Sequence, residues 1–131
     1  MLFYNTTQRT NPVDPEGPKK WHPVLKRIDN VKENELVKKL AFRTTLDAKE
    51  AAMAIGWLET IISELLLDGK TVHLGTMGYL KLAVKTTGVD EEKDVTAHQI
   101  DHIYVRFTPS KEFRKHISDA KFAPVESLSN K

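Results

Sequence analysis

The feature that most constrains this chain is an apolar stripe too wide for a short chain to cover alone. Asp47, followed three residues later by Glu50, resembles a capping box and opens a helix, which runs to Leu67 and stops at Asp68-Gly69. Ala51, Ala54, Ile55, Leu58, Ile61, Ile62 and Leu65 share one side of it at helical spacing. Trp57 and Leu66 widen the stripe to roughly half the circumference. A chain of 131 residues makes one ordinary domain, and a lone small domain seldom buries so wide a face. A partner helix is therefore predicted, from this chain or from a second copy. Gly56 falls on the polar side and reads as tolerated rather than as a packing notch.

Glu33–Arg43 is a shorter helix before it, with Leu36, Val37, Leu40 and Ala41 in one stripe. Glu33 and Glu35 lie in its first turn, where the helix dipole favours acids. After Gly69 the period changes to two. Val72 and Leu74 alternate with Thr71 and His73, and Gly75-Thr76-Met77-Gly78 interrupts the run. Tyr79–Lys85 resumes it, with Leu80, Leu82 and Val84 on one face and Tyr79, Lys81, Ala83 and Lys85 on the other. A polar stretch from Thr86 to His98 and a little beyond leads to a third strand. There Ile103, Val105 and Phe107 alternate with His102, Tyr104, Arg106 and Thr108. Pro109 ends that strand and suits the first turn of a final helix, Ser110–Ile117.

Upstream, Leu2–Thr7 and Val24–Ile28 read as short strands. Pro12, Pro15, Gly17, Pro18 and Pro23 resist helix formation, so Lys19, Lys20 and Trp21 are expected in an extended loop. A Lys-Lys-Trp triplet presents cations and a stacking ring to nucleic acid. The commoner use of such a Trp is as an apolar anchor for its own loop.

Several function classes fall away. The chain has no cysteine, which excludes disulfides, thiolate metal sites and a cysteine nucleophile. No apolar run approaches the roughly 20 residues of a membrane helix, and Met1–Tyr4 is too brief for a signal-peptide core. His98 and His102 are four apart, but strand entry gives that spacing no reliable convergence and no third ligand is evident, so no metal is expected. The Gly75–Gly78 turn is too short to cradle phosphate, and the helix carboxylates read as caps and solvated faces. No catalysis, cofactor or small-molecule substrate is expected.

Net charge is only +2, yet its placement is uneven. Residues 1–28 hold five basic and two acidic groups, net +3; residues 29–102 hold nine and thirteen, net −4; residues 103–131 hold six and three, net +3. Two basic ends flank an acidic middle, and a fold that joined them would make one positive patch.

Taken in order, Glu35-Leu36-Val37, Thr45-Leu46-Asp47, Asp68-Gly69-Lys70-Thr71-Val72, Leu74 with the Gly75–Gly78 turn, and Phe107-Thr108-Pro109-Ser110-Lys111 resemble successive landmarks of the bacterial histone-like HU/IHF family. The Pro-rich start with Lys-Lys-Trp looks like an N-terminally extended, Bacteroides-type lineage of it. The resemblance implies an α+β fold: an intertwined homodimer with a helical base, three-stranded β-ribbon arms and a short C-terminal helix. It divides the chain into an extension (1–28), an HU/IHF-like DNA-binding domain (29–118) and a tail (119–131). Leu58 and Ile62, with Met77, Leu80 and Phe107 at the positions of the family's shared aromatic core, would form the dimer core. Two of the three usual phenylalanines are here Met and Leu.

Carried over residue by residue, the resemblance places Lys81, Lys85 and Arg106 on the ribbon face turned to the duplex and matches Lys111 to the lysine opening the last helix. Arg114 and Lys115 would reach flanking phosphates, with Lys19 and Lys20 as further candidate contacts. The partner implied is double-stranded DNA in the cytoplasmic nucleoid, held with little base specificity and condensed by a histone-like architectural protein. An interaction or assembly module on the same dimeric scaffold, with weak or no DNA binding, is the alternative. Two departures bear on mechanism. The family's arm usually carries a proline that wedges between base pairs and kinks the duplex, whereas residues 85–98 hold no proline and a net charge of −2 from Asp90, Glu91, Glu92 and Asp94 against Lys85 and Lys93. An acidic tip is unfavourable in the negative minor groove, so the proline wedge is not carried over. Ser110 stands where a glycine usually precedes the final lysine.

Overall fold

The computed structural model describes residues 1–130 and divides the chain into two units. One is Met1–Lys32 together with the chain from Ile117 onward; the other is Glu33–His116.

In the first unit β1 (Leu2–Arg9) pairs antiparallel with β2 (Lys20–Lys26) and parallel with β6 (Phe122–Pro124), giving the order β2-β1-β6. Segments more than 100 residues apart in sequence thus share one sheet. The Leu2 amide also donates to the Lys121 carbonyl at 2.8 Å. The link from β1 to β2 is short and self-bonded: the Val13 amide donates to Asn11 Oδ1 at 3.0 Å, and the Asp14 and Gly17 amides close successive turns. Strand β2 starts at Lys20, so Lys20 and Trp21 stand in a strand rather than in the expected loop. Pro23 is tolerated there because β2 is an edge strand. Phe3 is buried on one side of the sheet, and a short 3-10 turn (Val125–Asn130) contacts β1 and β6.

The second unit opens with α1 (Glu33–Arg43) and α2 (Ala48–Leu67), packed on each other. Asp47 Oδ1 accepts from the Glu50 amide at 2.8 Å, satisfying one of the free donors of the first turn. At the other end Gly69 takes a φ of +79°. Its amide donates to the Leu66 carbonyl and that of Lys70 to the Leu65 carbonyl, the paired bonds of a Schellman stop.

A second sheet follows in the order β3-β4-β5: β3 (Val72–His73), β4 (Gly78–Thr86) and β5 (Ile100–Pro109), all antiparallel. Gly78 has a φ of +141° and is buried where β4 meets the end of β5; a Cβ there would collide with the Thr108 carbonyl oxygen. The last helix, α3, spans Lys111–Ser118, one residue later than the sequence suggests. Ser110 is its cap rather than its first turn. The Ser110 hydroxyl accepts from the Phe113 amide at 3.0 Å and donates to the Thr76 carbonyl, while the Ser110 amide donates to the Met77 carbonyl at 2.9 Å.

Packing within a single chain is thin. Among the described residues, Phe3, Val37, Ala51 and Leu66 are the buried apolar side chains. The accessible surface is 11471 Å². A monomer of this mass exposes about 7,000 Å², and two separate bodies of the sizes found here would expose about 8,400 Å². Leu58 keeps 52% of its surface in solvent, Phe107 42%, and Trp57, Ile61, Ile103 and Val105 are exposed with them. No helix among the described residues is long and apolar enough to cross a membrane.

Two stability outcomes follow, both read by denaturant unfolding at matched protein concentration. Gly78→Ala loses more than about 1 kcal/mol through its backbone conformation and the collision, whereas Gly88→Ala, with open space around it, stays within about 0.5 kcal/mol. Asp47→Ala loses about 1 kcal/mol and Asp47→Asn retains most of it, since either side chain caps.

Candidate nucleic-acid interface

The register of β4 on β5 sorts the second sheet into two unlike faces. Leu80, Leu82 and Val84 oppose Phe107, Val105 and Ile103, and Val72 of β3 lies opposite Leu80. This apolar face continues through the edge-on contact of Phe107 with Phe113 of α3, ring centroids 6.5 Å apart.

The other face gathers the cations. Lys81 lies directly opposite Arg106 and Lys85 opposite His102, so Lys81, Lys85 and Arg106 share one side of the sheet. Rings stand between them. Tyr79 opposes Thr108 and tilts against His73 at 5.2 Å, while the Lys81 ammonium lies 6.0 Å from the Tyr79 ring centroid, at the outer limit of cation–π attraction. Tyr104 is stacked at an angle on His102, 5.8 Å between centroids. The alternation visible in the sequence already put Tyr79, Tyr104 and His102 on this side. Alternation alone does not assign them to a site, because a ring beside a strand cation is as readily a packing neighbour.

Lys81 facing Arg106 is the least comfortable pair in the sheet. Like charges directly across a strand pair are destabilising, and no carboxylate occupies a neighbouring position on that face of β4 or β5. Lys111 is unusual in the same sense. It is the first residue of α3, where the dipole favours an anion. Arg114 and Lys115 follow at i+3 and i+4 and so lie on its side of the helix. Ser110, in place of a glycine, spends its hydroxyl on the cap and on the Thr76 carbonyl.

The connection from β4 to β5 is internally bonded. The Thr87 amide donates to the Gln99 carbonyl at 2.9 Å, Gln99 Nε2 donates back to the Thr87 carbonyl at 3.0 Å, and Thr87 Oγ1 donates to Asp101 at 2.8 Å. Thr96 and Gln99 form a reciprocal cap around a 3-10 turn, Ala97–Gln99. Lys93 pairs with Glu91 at 3.0 Å, leaving the loop acidic. His98 sits in that turn and His102 in β5; among the described residues no three His, Asp or Glu side chains gather into a metal site. The predicted dimer-core residues divide between α2 (Leu58, Ile62), the turn before β4 (Met77) and the apolar sheet face (Leu80, Phe107). Lys19 and Lys20 belong to the first unit, Lys20 opposite Arg9.

No curated protein sequence matches this one. Among solved structures, the fold is similar to that of a candidate bacterial DNA-binding protein from Bacteroides vulgatus ATCC 8482, with a TM-score of 0.63 at 18% identity. The likeness covers 95% of this chain and 47% of the other, so the chain spans about half the length of that protein. The sequence also matches, over residues 1–124, the family described as an HU domain fused to wHTH, Ig or glycine-rich motif. That match runs through the N-terminal strands as well as the helices and second sheet, and with it the chain belongs to this HU-type family.

Proposed function

We propose that the chain is an architectural, histone-like DNA-binding protein that acts as a homodimer and grips duplex DNA by its phosphates with little sequence preference. The observation that carries this reading is the Lys81–Arg106 pair, unfavourable in the free sheet and favourable once an anion lies between its members. Lys85 extends the row on the same face, beyond Ala83, and Lys111, Arg114 and Lys115 add a second cluster on α3. Such cations hold a phosphate backbone in register and carry no base code. Membership in an HU-type family supports a DNA partner. The large unburied apolar surface supports a second copy, with Leu58, Ile62, Met77, Leu80 and Phe107 as its core.

The bending device of the wider family does not transfer. Residues 85–98 hold no proline to wedge into a base step, and their carboxylates oppose entry into a minor groove. Binding is therefore assigned to the sheet face and α3. A nucleoid location and a part in DNA condensation go with the role. The acidic, internally bonded loop is the feature that an interaction module would use instead.

Titration of a labelled duplex with the full chain at several salt concentrations tests this. With a formal charge of only +2, affinity is expected to be modest and to fall steeply with salt, log affinity dropping by about 0.9 per phosphate neutralised for each log of salt. Lys81→Glu with Lys85→Glu should weaken binding roughly tenfold or more at low salt and flatten that slope by about two. Unchanged binding removes this face from the site. Absence of binding to any duplex at low salt contradicts the DNA reading, and loss of a protein partner on neutralising Asp90, Glu91, Glu92 and Asp94 favours the module.

A further inference from the structure

We propose that the recess at the turn end of the β1-β2 hairpin is a binding site for a small sugar phosphate, of the size of a nucleoside monophosphate. It is separate from the cationic face of β4 and β5 and does not depend on it. Strand pairing puts Thr7 opposite His22 and Arg9 opposite Lys20, all on one side of the sheet. Beyond Arg9 the chain folds back on itself: the Asp14 amide donates to the Asn11 carbonyl and the Gly17 amide to the Asp14 carbonyl, each at 3.1 Å. Strands and link together bound an open recess of about 610 Å³. Arg9, Lys20 and His22 line it from the strands, and Pro12, Asp14 and Pro18 from the link.

The two cations call for an anion. Arg9 and Lys20 stand directly opposite each other across the strand pair, an arrangement that is destabilising in the free sheet. Among the described residues neither forms an ion pair, with Asp14 or with any other carboxylate. A phosphate seated between them turns that repulsion into charge-assisted hydrogen bonds, the guanidinium offering a planar fork of donors. His22, two residues along β2 on the same side, adds a ring donor.

The carboxylate decides which anion. Gly17 has no positive φ, so its backbone does not demand glycine; a Cβ there would collide with the Asp14 carboxylate. The missing side chain thus makes room for Asp14 in the wall of the recess. A carboxylate only accepts hydrogen bonds, and it would repel a phosphate chain running past it. A single phosphorylated sugar satisfies both ends, with its phosphate on Arg9 and Lys20 and a hydroxyl donating to Asp14. The volume exceeds what a bare phosphate fills and lies in the range of small-ligand pockets. Pro12 and Pro18 supply apolar wall for a ring.

The test is calorimetric titration of the full chain with AMP, inorganic phosphate and adenosine at low salt. AMP should bind more tightly than either of the other two. Arg9→Gln with Lys20→Gln should weaken AMP about tenfold or more, while Arg9→Lys with Lys20→Arg, which exchanges the cations, should retain most of the affinity. Asp14→Ala and Gly17→Ala should each narrow the preference for AMP over inorganic phosphate by about threefold or more. Duplex affinity should be unchanged by Arg9→Gln with Lys20→Gln, and AMP binding should survive Lys81→Glu with Lys85→Glu. Absence of AMP binding at millimolar concentration, insensitivity to Arg9→Gln with Lys20→Gln, adenosine binding as tightly as AMP, or an unchanged preference in Asp14→Ala would each overturn the proposal. So would a loss of duplex affinity in Arg9→Gln with Lys20→Gln, which would give these cations to DNA.

Discussion

Leu58, Ile61 and Trp57 of α2, together with Ile103, Val105 and Phe107 of β5, stand largely in solvent when one chain is taken alone. Burial of apolar surface is the main favourable term in folding, and at about 25 cal/mol per Å² an excess of some thousands of Å² is too large to leave uncovered. The proposed homodimer follows from this constraint before any family is considered. It also explains why α2 is capped at both ends, by Asp47 and by the Gly69 stop, yet keeps an apolar stripe wider than α1 alone covers. The helix is locally specified and globally unfinished.

The charged side of the second sheet follows the same logic in a different currency. Lys81 opposite Arg106, and Lys111 at the positive end of α3, are arrangements that a sequence selected for monomer stability alone would avoid. Each is locally unfavourable and becomes favourable beside a phosphate. The acidic loop between β4 and β5 is the counterexample: its ends are closed by hydrogen bonds among Thr87, Gln99 and Asp101, and its Glu91 pairs with Lys93. On the proposed function, the cationic face and α3 would form the binding part of this unit, and the acidic loop a part that the duplex does not enter.

Much of this was legible in the residues. The bounds of α1, the capped start and glycine stop of α2, and the alternation that put Lys81 and Lys85 on one face depend on local chemistry, which the sequence carries explicitly. Long-range pairing was not legible. Phe122–Pro124 is a three-residue strand whose partner lies at the other end of the chain, and no local pattern announces it. Nor did the prolines before Trp21 reveal that β2 starts at Lys20, because an edge strand accepts a residue without an amide donor. In the sequence Ser110 is only a departure from a glycine; its role as a cap depends on the Phe113 amide and the Thr76 carbonyl that the fold sets beside it.

The central claim is that one chain is half of a folding unit, and its mass in solution tests this most directly. Sedimentation equilibrium or light scattering at micromolar concentration should give twice 14.9 kDa, with an unfolding midpoint that rises with protein concentration. A mass of 14.9 kDa with a concentration-independent midpoint would contradict the account, because the apolar faces of α2 and β5 would then be stable in water without a partner.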